Sequence, residues 1–418
     1  MTMQLISGLV GILALILIAY FLSEKRSHIN WRTVLGALAI QMTFAAIVLY
    51  SENGRAALGE FSSAVQNIIN FSNEGISFLF GGLVSDKMFE LFAGGGFIMA
   101  FRVLPVVVFF SAFVAVLYYL GIMQLLVGTL GRALSKMLGT SRAESISATA
   151  NIFLGISEAP LTVRPYIARM TRSELFAVMV GGMASVAGSV LVGYSQMGIP
   201  LEYLLAASFM AAPAGLMMAK LLIPETEQAC DSAESAEDEK KPANIIDAAA
   251  QGALQGMQLA LNIGAMLLAF ISLIAMLNAL LGWAGSLAGF EGLSLDLVFG
   301  YLFLPFAYIA GLWDFDAAQQ MATLFGTKTT INEFVAFSQL APMIESGVLD
   351  KRTEVIIAFA LCGFANFGSI AVLLGCMGLM AQTRYDEIAK LGMKSLVAAT
   401  LANLLNATVA GLFISLTL

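Results

Sequence analysis

Charge is what this 418-residue chain has least of. Only 12% of its residues are Asp, Glu, Lys or Arg, where soluble domains carry roughly 25%. With 59% hydrophobic residues, it cannot coat its own surface with polar groups, and lipid is the solvent that such a composition calls for. Histidine is nearly absent. The single one, His28, follows Lys25 and Arg26, which excludes an HExxH metalloprotease and any histidine-based triad. The three cysteines, Cys230, Cys362 and Cys376, fit neither a disulfide framework nor a zinc site. No glycine-rich phosphate loop follows a strand, so ATP-driven transport has no visible motor. A basic excess is missing too. The net charge is −7, most of it in the acidic stretch 225–241, and a nucleic-acid partner is not implied. The first apolar run lacks a basic n-region and an A-x-A cleavage site, so it reads as a retained span rather than a signal peptide.

What is there is long apolar runs. Eight approach the ~20 residues that a crossing helix needs: 3–22, 34–50, 96–120 with Pro105 inside it, 175–194, 201–223, 257–281, 354–375 and 396–418. Residues 121–138 place Arg132 and Lys136 opposite Ile122, Leu126, Leu130, Leu134 and Met137, the pattern of an interfacial helix. Residues 295–312 are apolar but contain Pro305, and read as interfacial or buried. Residues 61–84 are mixed and punctuated by glycine, and no span is assigned there. The acidic linker 224–244 reads as a solvated cytoplasmic loop.

Two apolar stretches hold too many polar groups for a simple crossing. Residues 141–170 contain Ser145, Ser147, Thr149, Asn151, Ser157, Glu158, Pro160 and Thr162. They predict two half-helices meeting in a break at Gly155-Ile156-Ser157, the length range of re-entrant segments. Ser157 is the expected cap of the second half-helix, with Glu158 in its first turn. Residues 313–346 repeat the plan, with a break at Thr329-Thr330-Ile331, Asn332 as cap and Glu333 as first-turn acid. An even number of crossings puts both termini on one side. With the termini outside, fifteen of the 21 Lys and Arg residues, Lys220 among them, fall on the cytoplasmic side, while Lys328 and Arg352 fall outside. That bias favours periplasmic termini.

The span after each hairpin carries related text, GGMASVAGS over 181–189 and CGFANFGS over 362–369, aligning Ser185 with Asn366. Glycine-rich, polar patches in mid-span are where a helix unwinds and exposes carbonyls. Hairpin followed by broken span, twice and in opposite topology, is the inverted repeat of secondary transporters, whose site lies near the midplane. Small residues used only for helix packing are the plainer account, but it leaves the paired acids Glu158 and Glu333 unexplained. A charge there costs at least ~2.5–3.5 kcal/mol. Each acid either neutralises its own helix N-terminus or binds a ligand. Asn151, with Ser185 as oxygen partner, suits Na⁺ coordination or helix capping. A lone aromatic such as Phe364 is more often core than ligand platform. The two carboxylates also admit an intramembrane hydrolase dyad, and the pathway admits a channel.

The segments GISEAPL and VRPY, GGMAS, INEFVAFSQLAP and CGFANFGSIA, with FRVLP at 101–105 and ASFMAAPAGL at 207–216, closely resemble the concentrative nucleoside transporters over essentially the whole chain. The resemblance implies an all-α membrane protein of eight spans, two re-entrant hairpins and interfacial helices, assembled as a homotrimer in the bacterial inner membrane. It implies a nucleoside symporter driven by sodium in most members and by protons in some, with no cofactor besides the coupling Na⁺. A transport domain would slide like an elevator against a scaffold. The division it implies is 1–120 mainly scaffold, 121–223 first repeat, 224–244 linker, 245–312 scaffold span and following helix, and 313–418 second repeat. Carried over by position, sodium would meet the side chains of Asn151 and Ser185 and the carbonyls of Leu154 and Val186. The base would face Ile156, Ser157, Glu158, Val190 and Phe364, and the ribose hydroxyls Glu333, Asn366 and Ser369. Two positions depart from the family pattern: Ile156-Ser157-Glu158 replaces Gln-Thr-Glu, and Ser189 replaces glycine. Both departures bear on base preference.

Overall fold

The computed structural model describes residues 2–85, 87–91, 97–228 and 242–417, and among these there is helix and turn but no strand. The chain opens with α1 (Thr2–Phe21) and α2 (Trp31–Ala45), the latter prolonged by a π turn over Ala46–Tyr50. α3 (Glu52–Asn70) and α4 (Ser72–Phe80) are helical yet not among the candidate spans, as their mixed composition predicts. α5 (Leu104–Tyr119) begins with Pro105 in its first turn, where the missing N–H costs nothing. α6 (Ile122–Leu138) lies between Gly121 and Gly139, both left-handed, so the chain turns sharply at each end. The first hairpin starts with α7 (Arg142–Ala150), held by a capping box between Ser141 and Glu144.

Then come α8 (Arg172–Ala184), with a second capping box from Thr171 and Glu174, α9 (Gly188–Gln196) and α10 (Leu201–Leu222). After the linker, of which 229–241 with Cys230 lie outside the described residues, α11 (Ile245–Leu287) runs for 43 residues. At ~1.5 Å per residue that is about 64 Å, twice the hydrocarbon thickness. Hydropathy marked only 257–281, because it detects lipid and not the turns of the same helix in water. α12 (Leu295–Leu302) and α13 (Leu304–Ile309) break at Phe303, next to Pro305, and pack on α14 (Phe315–Thr330). α15 (Glu333–Glu345), α16 (Lys351–Leu361), α17 (Phe367–Met380) and α18 (Tyr385–Ile414) complete the described chain.

Among the described residues, seven helical stretches are long and apolar enough to cross a membrane. The one predicted span without a match among these, 354–375, is divided between α16 and α17, neither of which is that long alone. α8 to α10 and α18 are mostly buried and form the centre, whereas α11 is mostly exposed and α5 mostly half-buried. These two outer helices lie tightly together. A Cβ on Gly252 would stand 2.5 Å from Ala115 Cβ, and one on Gly256 2.7 Å from Ser111 Cβ, so only glycine allows the approach.

Charges counted as loop charges for orientation prove to be interior. Lys220 is buried and pairs with Glu144 at 2.6 Å. Arg352 is buried against Gly311 O, Ser7 Oγ and Ser415 Oγ, at 3.0, 3.2 and 2.8 Å. Lys328 is wholly buried. Such residues are held by their partners and carry no weight in the positive-charge bias.

Candidate functional site

The first hairpin departs from its predicted shape. α7 ends at Ala150 and regular structure resumes only at a 3₁₀ turn over Ala159–Val163, so the break covers 151–158 rather than Gly155-Ile156-Ser157 alone. Pro165 would remove an interior backbone donor from any helix begun at Ser157, which denies the second arm a continuous α-helix. Ser157 makes no cap. It is exposed, and Glu158 precedes the 3₁₀ turn, accepting a long 3.4 Å bond from Gly155 N–H.

At the head of this break Asn151 is buried and its Nδ2 donates to Ser147 O at 2.9 Å. Its Oδ1 accepts no hydrogen bond from the protein, and Ser147 Oγ is likewise buried without a partner. α8 ends beside it. A Cβ on Gly181 would lie 3.0 Å from Asn151 Nδ2, and Ser185 Oγ donates back to Gly181 O at 3.0 Å. Helix is interrupted at Ser185, Val186 and Ala187, all buried, and resumes with Gly188, whose N–H donates to Phe153 O at 3.0 Å. The two breaks of the first repeat are thus stitched together. The orphaned Asn151 oxygen is neutral, on a side chain whose amide nitrogen packs against Gly181 in the last turn of α8, and an unpaired neutral oxygen of this kind suits a monovalent cation.

The second hairpin keeps its predicted cap and acid, but its break is narrower than Thr329-Thr330-Ile331: Thr329 and Thr330 stay in α14, and only Ile331 and Asn332 separate it from α15. Asn332 caps α15 by accepting from Val335 N–H at 2.9 Å, and Glu333 follows in the first turn. Glu333 is buried. Its Oε1 accepts from the Tyr194 hydroxyl at 2.9 Å and its Oε2 from Asn366 Nδ2 at 3.2 Å. Asn366 caps α17, its Oδ1 accepting from Ser369 N–H and Oγ–H at 2.9 and 3.1 Å. The structure therefore joins Glu333, Asn366 and Ser369 in one network. Tyr194, unnoticed in the sequence, completes it, and its ring stacks on Phe337 with centroids 4.3 Å apart.

The two broken spans cross at their breaks. Phe364 N–H donates to Ser185 O at 3.0 Å. Asn403 of α18 bridges both, donating from Nδ2 to Ala184 O and Cys362 O at 2.7 and 3.3 Å. The Asn403 side chain stands 2.3 Å from where a Cβ on Gly363 would lie, so the crossing requires glycine. Lys328 Nζ donates to Asn403 Oδ1 and Ala360 O, both at 2.7 Å. Asn403 comes from a distant helix and left no local signal. Lys328 did leave one, as an ionisable residue in an apolar arm.

A cavity of about 940 Å³ opens beside the first hairpin, with Tyr118, Arg142, Leu154, Glu158, Ser189 and Gln255 among its lining residues. The Tyr118 hydroxyl is buried with no partner. Glu333, Asn366 and Phe364 do not line this cavity. Val190 is buried on α9, Phe364 half-buried, and Ile156 packs beside α8, its Cγ1 3.1 Å from where a Cβ on Gly182 would stand.

Comparison with known proteins bears on this arrangement. The family profiles described as Na⁺ dependent nucleoside transporter C-terminus, Na⁺ dependent nucleoside transporter N-terminus, and Gate, nucleoside recognition, match residues 203–411, 10–83 and 100–201. An uncharacterized transporter of Haemophilus influenzae is 52% identical over 99% of each chain. The nucleoside permease NupC of Helicobacter pylori is 44% identical over 98% of each chain. Among solved structures, CNTnw in an inward-facing substrate-bound state superposes with a TM-score of 0.96 at 53% identity over 99% of each chain. A substituted CNTnw in an outward-facing state superposes with a TM-score of 0.97 at 54% identity over the full length of each.

Proposed function

From the premise that this chain belongs to the Na⁺-dependent nucleoside transporter family, we propose that it imports nucleosides by sodium symport across a bacterial plasma membrane. It is a transporter and not an enzyme, so the carboxylate dyad of a hydrolase falls away. The observation that carries sodium coupling is the buried Asn151 Oδ1 left without a donor beside the interrupted end of α8. Asn151 and Ser185 side chains, with the Leu154 and Val186 carbonyls, are the proposed sodium oxygens. The Glu333–Asn366–Ser369 network supplies a carboxylate, an amide and a hydroxyl, a donor and acceptor set for a vicinal diol. The base then meets Ser157, Glu158, Val190 and Phe364, with Ile156 forming the wall behind them.

In this reading the two hairpins and broken spans move together as the transport domain, in an elevator stroke past a scaffold built around α5 and α11. Three protomers associate, both termini are periplasmic, and the exposed apolar faces of the outer helices meet lipid or one another. Proteoliposomes in a sodium gradient, offered a panel of labelled nucleosides, test the reading. Uptake should concentrate nucleoside above the outside level, which a channel cannot do, and should collapse when choline replaces sodium at fixed pH. Uptake that survives choline and follows a proton gradient would transfer the coupling to protons, with Glu158 or Glu333 as the carrier.

A further inference from the structure

Each repeat brings two helix C-termini together. In the first, the C-cap of α7, Asn151, lies against Gly181 in the last turn of α8. In the second, Lys328 in the last turn of α14 reaches Ala360 O in the last turn of α16. A helix C-terminus carries about half a negative charge, so a pair of them draws a cation. The repeats meet that demand differently. The first presents a buried oxygen, Asn151 Oδ1, with no donor. The second supplies a donor covalently, since Lys328 Nζ is wholly buried and bonds at 2.7 Å to both Ala360 O and Asn403 Oδ1. An ammonium is a compact monovalent point charge, comparable to a sodium ion in what it offers to oxygens.

We infer that Lys328 is the resident cation of the second repeat, a positioning residue that fills with its own ammonium the place that sodium takes in the first. This rests on the sodium reading proposed above. The charge holds the C-terminal end of α16, and through Asn403 it holds the crossing of both breaks. Removing the ammonium leaves Ala360 O and Asn403 Oδ1, two buried oxygens, without the charge they share. Sodium is the ion at hand to supply it.

The test uses purified full-length protein in proteoliposomes, with ²²Na⁺ and labelled nucleoside counted together, for the parent and Lys328→Gln. The parent should show hyperbolic sodium activation and carry about one sodium per nucleoside, because only one terminus pair lacks its own charge. Lys328→Gln should turn activation sigmoidal and raise the flux ratio toward about two, as two terminus pairs now need a cation. A merely structural lysine would lower the rate without changing either quantity. Unaltered cooperativity and ratio in Lys328→Gln would overturn the inference, and so would a parent that already carries two. If the variant does not reconstitute, its monodispersity in detergent is compared in sodium and choline chloride. Rescue by sodium supports the inference, and equal loss in both salts overturns it. A parent indifferent to sodium overturns the underlying reading as well, whereas a sodium-dependent parent beside an unaltered variant sinks this step alone.

Discussion

The two hairpins have the same ancestry of pattern and opposite states of completion. In the second, both arms are α-helical, the tip is capped by Asn332, and both carboxylate oxygens of Glu333 are engaged. In the first, eight residues separate α7 from a 3₁₀ turn, and buried oxygens of Ser147 and Asn151 have no partner. Buried polar groups are nearly always satisfied, so on the proposed reading the loose hairpin is where an arriving ligand supplies what the chain withholds. The tight hairpin is set beforehand, and a ligand that binds it must share or displace bonds already made. The first is expected to respond to ions, the second to the hydroxyl pattern of the substrate.

The contrast breaks most severely at Glu333. Glu333→Ala strands the Tyr194 hydroxyl and the Asn366 amide together, and nucleoside uptake should fall by more than about a hundredfold, as two lost bonds with a charged acceptor imply. Glu333→Gln keeps the shape and should cost about 1.5–3 kcal/mol of ribonucleoside binding. The loss should shrink for analogues without ribose hydroxyls, and equal losses measured by titration would show that Glu333 serves only its own helix. Next in size, Asn151→Ala or Ser185→Ala should raise half-saturation by sodium about tenfold, or ~1.4 kcal/mol. Nucleoside affinity at saturating sodium should stay nearly constant, and a reversed pattern would exchange the roles of the two repeats.

Tyr194→Phe keeps the stack on Phe337 and deletes one hydrogen bond to Glu333. A loss of roughly fivefold in nucleoside affinity is expected, about 1 kcal/mol, with sodium activation unmoved. The smallest effect belongs outside the membrane, at Glu24. Partial burial works to raise its pKa, but Lys394 and Arg172, at 2.7 and 3.0 Å, outweigh this and hold it below the ordinary value. Because the folded value is depressed, its contribution is present above the unfolded carboxylate pKa and lost as pH falls through the folded one. Glu24→Gln should cost only about 0.2–1 kcal/mol, since the pairs are solvent-screened. Thermal melting of parent and variant should converge toward acid pH.

How much of this was legible beforehand depended on whether the signal was local. Asn332 and Glu333 were readable because a cap and its acid sit side by side in sequence and act on the same helix turn. The first hairpin was read too neatly. Ser157 looked like a cap, but Pro165 beyond it prevents the helix it would have capped. Tyr194 and Asn403 were invisible because each acts on a partner more than 100 residues away. Lys328 was visible and misjudged. It was counted among the charges of the outer side when its position inside an apolar arm marked it as an interior one.

The glycine seam between α5 and α11 sets a mechanical boundary. Where Gly252 and Gly256 meet Ser111 and Ala115 there are no side chains long enough to ratchet or repack, so the two helices have a single fit and no neighbouring register to slip into. Ser111, Ala115 and Gly252 also line the cavity that holds Glu158, which makes the seam one of its walls. A single methyl at residue 252 is therefore a wedge between two rods. It would meet Ala115 Cβ at 2.5 Å and Ser111 O at 2.8 Å, so the cavity wall itself must shift to admit it.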